Sequence, residues 1–150
     1  MSKKKYIEDN WVNPLWINLN KVIQLLKSEF TKEAKKMNID ILPEQWIILY
    51  SLYQTDGLTQ VEIAASNFKH TPSISRTLNH LVERELVIKK SPDSDRRKFK
   101  VCLTAKGRTL VEQLYPKVLE VRQTSWDGLN KKDFDHFIHI LQKMQENLKS

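Results

Sequence analysis

The chain has 150 residues, 40% hydrophobic and 29% charged, with only 3 glycines and 5 prolines, which is the composition of a folded, helix-rich protein and not of a disordered segment. No run approaches the roughly 18 uninterrupted apolar residues of a membrane span, the start MSKKKYIEDNW lacks the apolar centre of a signal peptide, and the lone cysteine, Cys102, excludes an internal disulfide, so a cytoplasmic location is expected. The net charge of +7 lies mostly in the second half: residues 89–100 place Lys89, Lys90, Arg96, Arg97, Lys98 and Lys100 against only Asp93 and Asp95, a local excess that points to a polyanionic partner or, more plainly, to a solvated hairpin tip.

In chain order, Asn13-Pro14 reads as a cap and first helical residue, and Leu15, Leu19, Val22, Ile23, Leu26 and Phe30 follow at helical spacing, predicting a long helix over 13–36. Pro43 opens a second helix with an expected apolar face of Trp46, Ile47, Leu49, Tyr50 and Tyr53, stopped near Asp56-Gly57. Thr59 and Glu62 have capping-box spacing and predict a short third helix over 59–66. Thr71 is the expected cap, and Pro72 the first-turn residue, of a fourth helix reaching about Glu85. Around this helix, Ile74, Thr77, Leu78, Leu81 and Val82 share one side, while Pro72, Ser73, Ser75, Arg76, Asn79 and His80 fall opposite. That second face is small, polar and basic, and carries no acid before Glu83.

The period then changes to that of strands. LVIKKS and KFKVCLT are predicted strands, with Phe99, Val101 and Leu103 on one face and Lys98, Lys100 and Cys102 on the other, joined by the charged turn SPDSDRRKF. Thr104 is the expected cap of a fifth helix bent at Pro116, carrying Leu110, Val111, Leu114, Val118 and Val121. A last helix over 131–148 repeats Phe134, Phe137, Leu141, Met144 and Leu148 as a heptad seam, too short for an independent coiled coil but able to pack on the first helix of its own or another chain.

Short helix, turn, polar-faced helix and basic hairpin make a winged helix-turn-helix, here spanning residues 43–104 in a mainly α chain. A helix of this width fits the major groove, and a thin two-stranded wing can place a basic tip in the adjacent minor groove.

At Asp95-Arg96-Arg97, followed by Val101-Cys102-Leu103-Thr104-Ala105-Lys106-Gly107, the sequence resembles the MarR family of bacterial transcription regulators, with its D-x-R wing and V-x-L-T-x-x-G continuation. Pro43-Glu44-Gln45, Val61-Glu62-Ile63-Ala64, Ser73-Ile74-Ser75-Arg76-Thr77-Leu78 and Leu81-Val82-Glu83-Arg84 are further matches, so the resemblance runs over nearly the whole chain. It implies that Arg97 enters the minor groove braced by Asp95, that Ser73, Ser75 and Arg76 contact bases and phosphates, and that the first and last two helices build a homodimer. With the rest of the polar face and tip, the expected duplex-binding set is Thr71, Ser73, Ser75, Arg76, Asn79, His80, Asp95, Arg96, Arg97 and Lys98. The expected dimerisation residues are Leu15, Leu19, Phe134, Phe137, Leu141 and Met144, within a helical region of residues 13–36 and 105–150. A pseudo-palindromic operator and repression are the expected function. The family usually has glycine where this chain has Glu85, so the turn into the first wing strand is expected to differ.

Other features have plainer readings. His136 and His139, with His70 and His80, suggest a metal site, but no acidic or cysteine partner is identifiable, and structural histidines with no metal or other cofactor are expected. Cys102 beside the lysine side of its strand suggests a redox sensor, yet the family's peroxide sensors carry their cysteine near the N-terminus, so a quiet thiol is expected. Trp11, Trp16, Trp46 and Trp126 are core residues or line a pocket for a small aromatic effector, which the resemblance places between dimer helices and DNA-binding lobe. No glycine-rich phosphate loop, H-E-x-x-H or nucleophile elbow is present, so an enzyme is not expected; the competing reading is a winged-helix module docking an acidic protein.

Overall fold

The computed structural model describes residues 9–66, 71–91 and 99–149, with the side chains of 9–13, 71 and 72 also outside the description. Among the described residues there are six helices and three short strands in the order α1 (Asp9–Lys36), α2 (Pro43–Gln54), β1 (Leu58–Thr59), α3 (Gln60–Ser66), α4 (Thr71–Glu83), β2 (Val87–Lys90), β3 (Lys100–Leu103), α5 (Ala105–Thr124) and α6 (Lys131–Lys149).

α1 begins before the expected Asn13 cap and carries Pro14 inside it. The missing N–H of Pro14 would have bonded to the carbonyl of Asn10, at the first turn, where the loss of one bond is tolerated more readily than in mid-helix. The helix ends in a left-handed residue, Asn38 at φ 56°, with Ile39 N–H donating to Ala34 O and Asn38 N–H to Lys35 O. At α2, Pro43 starts the helix and the buried Gln45 side chain accepts the Leu42 N–H at 3.0 Å. Of the expected face Trp46 and Leu49 are buried, joined by Ile48 and Leu52, whereas Ile47 is exposed, and Tyr50 and Tyr53 lie half-buried at the margin. An apolar run on every side of a short helix does not announce its inner face, and packing against α1, α4 and α5 selects it.

Thr59 and Glu62 form the expected capping box: the Glu62 carboxylate accepts the Thr59 N–H at 2.7 Å and its hydroxyl at 2.8 Å, while Thr59 Oγ1 accepts the Glu62 N–H at 3.2 Å. Thr59 also belongs to β1, a third strand that adds to the two expected from the sequence. β3 is central in the antiparallel order β1-β3-β2, pairing Leu58 with Val101 on one side and Val87 with Leu103 on the other. Two residues carry no readable alternation, which is why β1 escapes a pattern search.

One cluster holds the molecule together. Leu49, Leu52, Ile63, Ile74, Leu78, Leu81, Val87, Val101, Val111 and Leu114 are fully buried in it, joining α2, α3, α4, the sheet and the first half of α5. α5 is capped by Thr104, whose Oγ1 accepts the Gly107 N–H at 2.9 Å, and it continues through Pro116 as one helix. α6 has no buried residue.

Candidate nucleic-acid interface

α4 starts at Thr71, which is its first residue rather than its cap. Ile74, Leu78 and Leu81 are wholly buried and turn the other side of the helix outward: Ser73, Arg76, Asn79 and His80 are exposed and Ser75 half-buried. The Thr77 hydroxyl bonds back to Ser73 O at 3.0 Å, so it is occupied within the helix. The first turn has no acid, and the positive end of the helix dipole adds to Arg76 in attracting an anion.

The end of α4 is unusually well fastened. Glu85 occupies the left-handed region at φ 58°, Leu86 N–H donates to Leu81 O, and Glu85 N–H donates to Val82 O. This is the geometry that glycine usually takes, so the expected difference in the turn is corrected: the chain makes the ordinary turn with an L-residue and accepts the strain. Surrounding bonds hold it there. The Thr104 hydroxyl donates to Glu85 O at 2.7 Å and Lys106 Nζ to Arg84 O at 2.9 Å. Gly107 makes the closure possible, since a Cβ there would lie 2.1 Å from Leu86 O.

The strands continue the basic surface. Lys90 and Lys100 face each other across the β2–β3 pair and both are exposed, a like-charge opposition that a bound polyanion would relieve. Lys89 turns instead to the helix, its ammonium 2.7 Å from Asn79 Oδ1 and 4.8 Å from the centre of the Phe99 ring. Sequence reasoning counted Lys89 only as charge; the available signal was its alternation with Val87, which puts Lys89 on the same face of β2 as that buried residue, although Lys89 itself is exposed. Asp56 was likewise read only as a helix stop, and it accepts the Leu103 N–H at 2.9 Å, tying the α2–β1 turn to the central strand. Asp95, Arg96, Arg97 and Lys98 lie outside the described residues, as does His70.

Cys102 is buried, 8% exposed, not on an open lysine face as the strand alternation suggested. The added strand β1 and the Gly57 turn cover its side of β3, with Sγ 3.9 Å from where a Cβ on Gly57 would stand. His80, His136 and His139 are exposed, and among the described residues no group of three or more histidine, cysteine or acidic side chains is placed to hold a metal ion.

The tryptophans do not converge. Trp46 is buried between Phe30, to which it is tilted, and Tyr50, on which it stacks, at 5.8 Å from each, whereas Trp16 is 69% exposed and Trp126 meets Phe134 and Phe137 edge-on. The Trp11 side chain lies outside the description. Trp46 lines an apolar cavity of about 240 Å3 between α1, α2 and α5, together with Ile23, Leu26, Phe30 and Val118. Its indole N–H is buried without a partner. Lys27, paired with Glu44 at 2.7 Å, and Arg122, over the Tyr50 ring at 5.9 Å, are the cations of this cavity.

Of the expected dimer residues, Leu15, Phe134 and Phe137 are exposed and Leu19, Leu141 and Met144 are half-buried. They continue into Trp16, Ile17, Val22, Ile23 and Leu25 of α1 and Ile140 of α6, all exposed. A groove of about 660 Å3 runs between them, from Val22 and Leu26 to Trp126, Phe134 and Phe137. No helix among the described residues is long and apolar enough to cross a membrane.

Comparison with known proteins agrees with this geometry. Residues 39–98 match the model of the MarR family. Among solved structures, S. aureus MepR in complex with DNA is 27% identical, with a TM-score of 0.79 over 88% of this chain and 96% of that one. A mutant of E. coli MarR with operator DNA has the same fold at 23% identity and a TM-score of 0.79, covering 90% and 96% of the two chains. So has BpsR of Bordetella bronchiseptica, whose DNA binding is regulated by 6-hydroxynicotinic acid, at 24% identity and a TM-score of 0.74 over 85% and 89%.

Proposed function

We propose that the chain is a winged-helix, DNA-binding transcription regulator of the MarR type rather than an enzyme, and that it is a cytoplasmic repressor binding a pseudo-palindromic operator as a homodimer. The observation that carries this is the polar face of α4, which carries no acid before Glu83, with Ser73, Arg76, Asn79 and His80 exposed beside the opposed Lys90 and Lys100 of the sheet. Thr71 and Ser75 complete the major-groove set, and the wing residues Asp95, Arg96, Arg97 and Lys98 supply the minor-groove contact. A narrow minor groove concentrates negative potential, and an arginine there keeps its charge at every relevant pH.

The region of residues 13–36 and 105–150 supports the dimer. An amphipathic helix with no buried residue leaves its apolar seam to water, and exposed apolar surface of this extent marks an interaction site. A two-fold dimer would set two α4 helices about 34–36 Å apart, one turn of duplex. Occupancy of the site then occludes polymerase.

The cavity at Trp46 favours a compact aromatic acid as effector: apolar walls take the ring, and Lys27 and Arg122 take the carboxylate. Such a ligand would act by favouring a dimer whose recognition helices have the wrong spacing.

Selection of genomic duplex fragments by the purified full chain, followed by titration of the best fragment at two salt concentrations, tests the reading. An enriched inverted repeat bound by a dimer with a steep salt dependence is expected. Binding without sequence preference would favour the acidic protein partner instead. Arg97→Ala is expected to weaken the complex and lower its salt slope by about 1; unchanged affinity would remove the wing from the mechanism.

A further inference from the structure

Lys89 and Asn79 are joined across the gap between α4 and the root of the wing, and their chemistry restricts what the helix can read. A lysine ammonium has donors only, so the carboxamide of Asn79 must turn its oxygen toward Lys89, and the 2.7 Å contact fixes which end of the amide faces which way. The Asn79 amino group, on an exposed side chain, then points away as a pair of donors. Lys89 is itself held from a second side, over the Phe99 ring at 4.8 Å, which limits how far its head can swing. It is an exposed residue on the strand face shared with the buried Val87, the face from which its ammonium reaches Asn79.

An unrestrained asparagine on a recognition helix commonly reads adenine with both ends of its amide, accepting from the N6 amino group and donating to N7. Here the acceptor end sits against a fixed positive charge that already donates to it, and an incoming amino group of adenine or cytosine would meet that ammonium. Guanine O6 and N7, or thymine O4, would meet donors and a cation instead.

Resting on the operator-binding reading, we propose that Lys89 is a specificity-positioning residue: it orients the Asn79 carboxamide so that the pair reads an acceptor-bearing base, guanine or thymine, on the wing side of the α4 contact.

The test is selection from a randomised duplex library by the full-length wild type and by Lys89→Met, Asn79→Ala, the double variant and Lys89→Arg, with titration of the leading sequences. The wild type is expected to prefer guanine or thymine by about tenfold at one symmetry-related pair of positions, the discrimination of one good polar base contact. Lys89→Met and Asn79→Ala should each relax that same pair to within about twofold, the double variant should relax it no further, and Lys89→Arg should retain it, since a guanidinium also offers only donors. Uniform weakening in Lys89→Met with base preference intact would overturn the proposal and leave Lys89 as a phosphate contact. Relaxation at different positions in the two single variants, or a wild-type preference for adenine there, would overturn it as well. If the wild type selects no sequence at all, the operator reading itself fails; if it selects one and the variants keep the same preferences, only the role of Lys89 and Asn79 fails.

Discussion

α4 and α6 are both amphipathic helices with a regular apolar stripe, yet the stripe of α4 is wholly buried at Ile74, Leu78 and Leu81 while α6 has no buried residue. Periodicity states that a face needs covering; it does not state what covers it. For α4 the cover comes from α2, α3 and the sheet of the same chain. The seam of α6 meets Trp126 and the groove beside α1, and the described residues of this chain leave the rest of it uncovered. The difference separates a lobe that folds around its own core from a helix whose apolar seam, on the proposed dimer, is covered by assembly.

Substitutions on the two sides should therefore fail differently. Leu78→Ala should remove about 3 kcal/mol of stability, with a melting temperature that drops by the same amount at every protein concentration. Phe137→Glu combined with Leu141→Glu should instead yield a folded monomer by analytical ultracentrifugation, with operator affinity down on the order of a hundredfold because the two half-sites no longer act together. A double variant that stays dimeric would show the seam to be internal packing and dissolve the comparison.

Two smaller changes sharpen the picture of the lobe. Gly107→Ala puts a methyl group against the Leu86 carbonyl and should cost about 2 kcal/mol as the turn and β2 shift. Glu85→Gly should act in the opposite direction, stabilising by about 1 kcal/mol in chemical denaturation because glycine takes the left-handed conformation without strain. A loss of stability on that change would mean that the exposed pairing of Glu85 with Lys106 outweighs the backbone term.

The smallest expected effect is the acid response of the α3 capping box. The backbone N–H and then the hydroxyl of Thr59 hold the Glu62 carboxyl below its ordinary range. The unfolded chain therefore takes up this proton first, so the contribution is whole above the ordinary glutamate value of about 4.3 and fades as pH falls through the lowered folded value. Melting curves of the wild type and Glu62→Gln should differ at neutral pH and converge below that window. A difference that persists into strong acid would assign the effect to packing instead of charge.

Much of this protein is written in local sequence. Thr59-x-x-Glu62 and Thr104 announce the starts of their helices because a cap is satisfied by atoms within three residues, and the polar face of α4 is legible because 3.6-residue periodicity is a property of the chain itself. Tertiary structure alone decided the rest. It selected Ile48 over Ile47 as the inner residue of α2, recruited Leu58-Thr59 as a third strand, buried Cys102, and held Glu85 in a glycine's conformation through Thr104 and Lys106, some twenty positions away. It also joined Lys89 to Asn79 at the root of the wing. In each case the deciding partner belongs to another element, brought there by the closing of the core, and no pattern read along one segment contains it.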